Sequence, residues 1–391
     1  MAGLDLDRIR AETPGVAHRV HLNNAGAALP PLVVVGAVKQ HLDLEAMIGG
    51  YEAADAQRPA IEAVYDSVAR LIGAQRDEIA LVENATVAWQ MAFYSLTFQP
   101  GDRILTTEAE YGANYVAFLQ VSRRTGAVID VIPSDEYGET DVDALEAMLD
   151  ERVKLIAVTW IPTNGGLVNP AARIGQVARK HGIPYLLDAC QAAGQMPVDV
   201  SALGCDMLSV TGRKFLRGPR GTGFLYVRRS LLQSLEPPII DHYAAPWVEL
   251  DRYELRPDAR RFENWENNYA ARLGLGAAVD YALDIGLEAI QERAWLLADS
   301  LRDQLQEIPG VQLRDLGRQP CAIVSFSVEG QDATALLHRA REAGINLSTS
   351  SAASTLIDAT KRELPQLLRA SPHYYNTEAE LQRLVAFIRR A

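Results

Sequence analysis

Cysteine is nearly absent from this chain. Cys190, Cys205 and Cys321 stand far apart, with no CxxC pair and no histidine cluster beside them. That argues against a zinc site and a disulfide framework and fits a reducing compartment. Lysine is almost as scarce, at Lys39, Lys154, Lys180, Lys214 and Lys361, and the net charge is −12. Nucleic-acid backbones and anionic membranes select for basic surface, so neither is an expected partner. No apolar run approaches the length that spans a bilayer. The opening MAGLDLDRIRAE lacks the basic-then-apolar order of a secretory signal. Internal repeats and low-complexity segments are missing too. The expectation is a soluble, cytoplasmic protein without a metal site.

What is present is alternation. The 391 residues suffice for two domains. From about residue 79, short apolar runs alternate with helical spacing: EIALVE, DRILTTEAE, AVIDVIP, KLIAVTWIP, IPYLLDA, DMLSVT and GTGFLYVR read as strands. Strands apolar throughout and separated by helices predict an α/β fold with a parallel sheet covered on both faces. Catalytic loops then lie at the carboxyl ends of the strands. The Pro- and aromatic-rich stretch 236–269 breaks the pattern and places a boundary near 257. The expected layout is a short segment over 1–20, a large domain over 21–257 and a smaller α+β domain over 258–391. In that tail 270–305 reads as two helices, 321–330 as a strand, and 333–344 and 377–390 as helices.

The chemistry-bearing candidates follow from this layout. Only Lys214 leaves an apolar strand into a glycine-rich loop, TGRKFLRGPRGTG. A desolvated lysine near other cations has a lowered pKa and can form a Schiff base; the bland alternative is a surface lysine in a basic loop. Pyridoxal phosphate also needs a carboxylate to keep its ring nitrogen protonated and a cradle for its phosphate. Asp188, ending the strand IPYLLDA, is either that acid or a cap for the next turn. Gln191 could bind the ring's phenolic oxygen. In ENATVAWQ the free N–H groups at Ala85 and Thr86, with the Thr86 hydroxyl, make either an anion site or a plain helix start, and Thr211 and Arg213 could close it from the other side. Tyr111 could stack on a ring. Arg369 could hold a substrate carboxylate in a bidentate pair or serve in a structural ion pair.

Taken together and in this order, these pieces resemble the fold-type I pyridoxal-phosphate enzymes. More closely they resemble the class V aminotransferase family, which includes cysteine desulfurases and isopenicillin N epimerase-like proteins. The resemblance rests on HLNNAGAALP, ENATVAWQ, TEAEYGANY, PTNGGLVNP, LLDACQAAGQ, TGRKFLRGPRGTGFLYV, RRFENWENNYAARLGLG and RASPHYYNT. It implies a large domain with a mostly parallel seven-stranded sheet and a smaller α+β domain. It implies Lys214 as the Schiff-base lysine, Asp188 as partner of the ring nitrogen and Gln191 as ligand of the ring oxygen. Ala85, Thr86, Thr211 and Arg213 become phosphate contacts, and Tyr111 takes the stacking position where desulfurases carry histidine. Arg369 and Asn24 become substrate contacts, and either Thr163 or Asn164 touches the ring, Asn164 being the expected contact. The ENWEN segment implies a homodimer.

One departure directs the functional expectation. Desulfurases carry a nucleophilic cysteine in a mobile loop before the Arg motif, whereas INLSTSSAASTLIDATKRELPQLLRAS has none. LEAMIGGYEAADAQRP and NNAGAALP resemble the hercynylcysteine sulfoxide lyases and their relatives. The expected activity is β-elimination from a cysteine S-conjugate or sulfoxide, giving pyruvate and ammonia. An aminotransferase or epimerase of a small amino acid is the alternative.

Overall fold

A computed structural model describes residues 4–390. Seven strands form the larger sheet: β1 (Ile79–Val82), β2 (Arg103–Thr107), β3 (Val128–Ile132), β4 (Val153–Thr159), β5 (Tyr185–Asp188), β6 (Met207–Thr211) and β7 (Gly223–Val227). Their order is β1-β7-β6-β5-β4-β2-β3, and every pair is parallel except those made by β7. The sheet is therefore mostly parallel, as expected. β7 runs the other way because the segment between it and β6 contains no crossover helix, and a parallel return needs one.

Both faces of the sheet are buried, which is why its strands are apolar throughout. Leu187, Leu208 and Phe224 enter one core cluster, while their chain neighbours Leu186, Met207 and Leu225 enter another. This is the two-residue period of a strand with helices above and below it. Each such leucine contributes about 1.5–3 kcal/mol on leaving water.

The covering helices are α1 (Leu32–Ile48), α2 (Arg58–Ile72), α3 (Ala85–Tyr94), α4 (Gly112–Thr125), α5 (Ala171–His181) and α6 (Tyr269–Ile285). α1 leaves Leu32, Val33, Leu42, Met47 and Ile48 exposed, so its apolar residues do not sort to one face and its periodicity is weak in the sequence. The stretch 270–305 is indeed two helices, divided at Gly286 with φ +93°. The first of them, α6, packs along α1 and α2.

The second, α7 (Leu287–Gln306), packs on a four-stranded antiparallel sheet of order β8-β9-β11-β10: β8 (Val311–Leu313), β9 (Val324–Val328), β10 (Ser348–Ser350) and β11 (Leu367–Ala370). The helices α8 (Ala333–Glu342) and α9 (Glu378–Ile388) complete this smaller α+β unit. Near the N-terminus, Val20–His21 pairs in parallel with Ile345–Asn346 in a separate two-stranded sheet, so the leading segment is stitched to the chain just before β10. No helix among the described residues is long and apolar enough to cross a membrane.

Arg217 ties these parts together beside the lysine loop. It is 2% exposed and lies at φ +63°, in the left-handed region that non-glycine residues avoid. Its guanidinium donates to Leu29 O at 2.8 Å, Tyr374 Oη at 2.6 Å and Thr13 Oγ1 at 2.6 Å. It also sits 4.5 Å from the Tyr375 ring centre and 5.2 Å from that of Tyr374. Three acceptors and aromatic faces take the place of a counter-ion. The Arg217 N–H donates to Lys214 O at 2.9 Å, so the lysine loop is held from behind.

Candidate functional site

Four strand ends converge at the carboxyl edge of the sheet, where α/β folds collect their ligand sites. β5 delivers Asp188, β6 runs into Lys214, β4 ends at Thr159, and the turn after β2 delivers Tyr111. These four, with Thr86, Thr163, Cys190 and Gln191, line one cleft of about 380 Å³, part of it open to solvent. The sequence-predicted amine, carboxylate, aromatic ring and helix N-terminus are thus brought together.

Close backbone approach makes the cleft possible. At Gly194, with φ +88°, an added Cβ would fall 2.3 Å from Leu216 N, which is impossible unless the lysine loop moves away. At Gly223 it would fall 2.5 Å from Val210 O and 3.2 Å from Ala85 N. Glycine there lets β7 pass against the start of α3. At that start the Asn84 side chain caps Val87 N at 3.0 Å, leaving the N–H groups of Ala85 and Thr86 without carbonyl partners one turn back. Thr86 is exposed, so this anion-binding end opens outward. Arg213 donates to Thr211 Oγ1 at 2.8 Å; neither residue is part of the cleft wall.

Burial is the main influence on Lys214, and it lowers the amine's pKa below the ordinary lysine value; Arg213 and Arg369 act in the same direction. The neutral amine is therefore available at lower pH than on a surface lysine, and proton-transfer activity that depends on it is retained closer to neutrality. Asp188 is buried and accepts from Cys190 N at 3.0 Å and Asn114 Nδ2 at 3.1 Å. It has no ion-pair partner among the described residues, so its charge is left for a ligand. Gln191 donates through Nε2 to Ala25 O at 3.1 Å, while its buried Oε1 has no partner.

Arg369, on β11, is 7% exposed and likewise lacks a carboxylate partner among the described residues. Its Nη1 donates to Thr163 Oγ1 at 2.5 Å and Thr163 O at 3.1 Å, and its Nε is unpaired. Burial pushes its pKa down to about 10. A buried guanidinium with spare donors is a place for a carboxylate. Of the pair Thr163 and Asn164, Thr163 lines the cleft. Asn164 is not part of the cleft wall and is turned toward the segment 351–355, donating to Thr355 Oγ1 at 2.8 Å and Ser351 O at 3.3 Å. Asn24 is not brought to the cleft either. It is fully buried, donates to Ser371 O at 2.7 Å and accepts from the Tyr375 hydroxyl, so both ends of its amide are committed to the protein. Its work is joining the leading segment to the RASPHYYNT strand end.

Sequence reasoning missed Glu110, Asn114 and Thr159. Glu110 is buried and accepts from Thr106 Oγ1 at 3.0 Å, Tyr111 N at 3.0 Å, Asn114 Nδ2 at 2.8 Å, Thr159 N at 3.0 Å and Thr159 Oγ1 at 2.5 Å. Its pKa is pushed up from 4.5 to about 7, chiefly by burial against the pull of these donors. Between those values the folded chain holds a proton the unfolded chain has lost, so this group's contribution to stability falls as pH rises through that window. The signal was present in AEYGANY, where Glu and Asn stand four apart across a helix start and so share a face.

The amine, the unpaired carboxylate, the orphaned Gln191 oxygen and the open helix N-terminus fit pyridoxal phosphate. The aminotransferase class-V family model matches residues 20–384. A probable cysteine desulfurase of Xylella fastidiosa strain 9a5c is 32% identical over 399 aligned residues, covering 98% of this chain and 94% of that protein. The apo cysteine desulfurase of Thermococcus onnurineus superposes with a TM-score of 0.92 at 25% identity, covering 100% of this chain and 98% of the other. The Escherichia coli cysteine desulfurase CsdA gives a TM-score of 0.91 at 26% identity, over 99% and 98% of the two chains. With fold, site and relatives in agreement, this chain belongs to the class-V aminotransferase family and uses pyridoxal 5'-phosphate.

Proposed function

We propose that the protein is a C–S lyase that cleaves a cysteine S-conjugate or sulfoxide by β-elimination to pyruvate and ammonia. One observation carries the choice. The segment that meets Asn164, 351–355, is Ser-Ala-Ala-Ser-Thr and holds no thiol. All three cysteines are buried and free of disulfides, Cys190 in the cleft wall and the others in the cores. Burial raises every one of these thiols, Cys205 and Cys321 to about 12. None offers the accessible thiolate that would take sulfur from a substrate.

When bound, pyridoxal phosphate supplies an aldehyde for the substrate's amine and a sink for the electrons left at Cα. The chain supplies the rest. The N–H groups of Ala85 and Thr86, the Thr86 hydroxyl, Thr211 and Arg213 would hold the phosphate. Asp188 would keep the proton on the ring nitrogen, Gln191 would contact the ring oxygen and Tyr111 would cover the ring. Arg369 orients the substrate carboxylate, with Thr163 steering its guanidinium. Lys214 takes the proton from Cα as a general base. The C–S bond then breaks with its electron pair leaving on sulfur, and water replaces nitrogen to release pyruvate and ammonia. The sequence likeness to hercynylcysteine sulfoxide lyases supports this branch.

A homodimer completes the reading. Its support is the large apolar side chains a single chain leaves exposed, among them Trp247, Leu250 and Trp265, the last in the ENWEN segment.

The names of the relatives favour a second reading, removal of sulfur from free cysteine. A substrate panel read by mass spectrometry separates the two. Pyruvate from cysteine S-conjugates or their sulfoxides, with no keto-acid acceptor present, is the expected result. Alanine from L-cysteine would establish desulfuration instead. A keto acid formed only with an acceptor, and without C–S cleavage, would move the chain to the aminotransferases, and conversion between L- and D-amino acids to the epimerases. Iodoacetamide at pH 8 gives an independent check. The native holoenzyme should keep its activity and show no fast-reacting thiol, whereas a desulfurase working through a protein persulfide loses turnover.

A further inference from the structure

We propose that Glu110 is a positioning residue for the cofactor, fixing through Asn114 the Asp188 carboxylate that receives the ring nitrogen and through its own neighbour's N–H the ring of Tyr111. The geometry is a fork. The Asn114 amide nitrogen donates to Glu110 Oε1 at 2.8 Å and to Asp188 Oδ2 at 3.1 Å. An amide nitrogen has two hydrogens, and its two shortest contacts give one to each acid, with Thr159 Oγ1 a longer third neighbour at 3.5 Å. Thr159 reinforces the arrangement, giving Glu110 both its N–H and its hydroxyl from the residue in register with Asp188.

Every one of the five partners recorded for Glu110 presents a donor, and the donors from Tyr111, Asn114 and the Thr159 backbone cannot be turned into acceptors. The site is therefore shaped for a group that accepts on both oxygens. The other charged or titratable groups acting at this place are Asp188 and Tyr185; no cation pairs with Glu110 among the described residues. A buried carboxylate without a counter-ion is costly to keep. With its pKa pushed up to about 7, its ionisation near neutrality responds to whatever charge arrives at Asp188. A cation on the ring nitrogen favours the ionised pair, and ionised Glu110 in turn orders Asn114 and Asp188 around it. Asp188 thus meets the ring already held, with no reorientation needed on binding.

The inference rests on Asp188 as partner of the ring nitrogen, so the test treats the two separately. Wild type, Glu110→Gln, Asn114→Ala and Asp188→Asn are stripped of cofactor and titrated with pyridoxal phosphate. Each reloaded protein is then followed by the pH dependence of the bound cofactor's visible absorbance. Glu110→Gln puts a donor where donors already point, and Asn114→Ala removes the fork. Each should weaken cofactor binding about tenfold, the effect of leaving one buried polar group unmatched. Each should also move the midpoint of the spectral pH profile. A purely structural role would lower the melting temperature of both while leaving affinity and midpoint alone, and that result overturns the proposal. Should Glu110→Gln not fold, Asn114→Ala decides by itself: wild-type affinity and profile in that variant also overturn it. If Asp188→Asn changes neither quantity, the assignment of Asp188 falls first. If it changes both while the other two variants do not, only the role of Glu110 falls.

Discussion

Lys214→Ala is expected to abolish turnover and to remove the covalent hold on the cofactor. Two functions are lost together. In the proposed mechanism the buried amine joins the cofactor to the chain and, after release, takes the Cα proton. Loss of a positioned general base alone costs about 10²–10⁴-fold in rate. Because attachment is lost as well, the decline should lie at or beyond the upper end of that range. Borohydride provides a readout independent of turnover. In wild type it should fix the cofactor irreversibly to the peptide containing Lys214, and in the variant it should not. Asp188, Gln191 and the α3 N-terminus remain in the variant, so cofactor should still bind noncovalently. A variant that keeps wild-type activity would remove Lys214 from the chemistry altogether.

Arg369→Met is expected to raise KM for the amino-acid substrate about 10²–10³-fold while leaving cofactor binding unchanged. The guanidinium is buried without a counter-ion, and Thr163 uses only its Nη1. Two charge-assisted hydrogen bonds to a carboxylate, at about 1.5–3 kcal/mol each, account for an effect of that size. Methionine keeps much of the side chain's length and removes a buried charge, so the fold should survive and the melting temperature should hold or rise. Steady-state kinetics on the conjugate that gives pyruvate, together with the same conjugate lacking its carboxylate, make the test. The wild type should discriminate strongly against the decarboxylated compound and the variant should barely distinguish the two. Equal discrimination by both proteins would place the carboxylate elsewhere.

Much of this site was legible because strand ends announce themselves. Asp188 and Lys214 each follow an apolar run that has to be a buried strand, and a polar residue at such a point emerges at the sheet edge where ligands bind. Ala85 and Thr86 were legible because Asn84 caps a helix directly after a strand. Asn24 and Asn164 lie off the cleft wall for a common reason. An asparagine in a loop presents the same letters whether its amide faces a cleft or a neighbouring backbone. Asn24 met Ser371 and Tyr375, and Asn164 met Ser351 and Thr355, partners hundreds of positions away that no local pattern names.

The sequence by itself determined the architecture and where the candidate groups emerge from the sheet. Hydrophobic period and strand-end position are local properties, and they sufficed for the mostly parallel sheet, Asp188, Lys214 and the helix start at Ala85. Tertiary structure decided which groups are left unpaired. Only folding shows that Arg369 meets Thr163 rather than a carboxylate, that every thiol is buried, and that Glu110 faces five donors beside Asp188. The reason is physical. A side chain's charge, acidity and availability depend on how much water it loses and on which dipoles replace that water, and those neighbours come from distant parts of the chain.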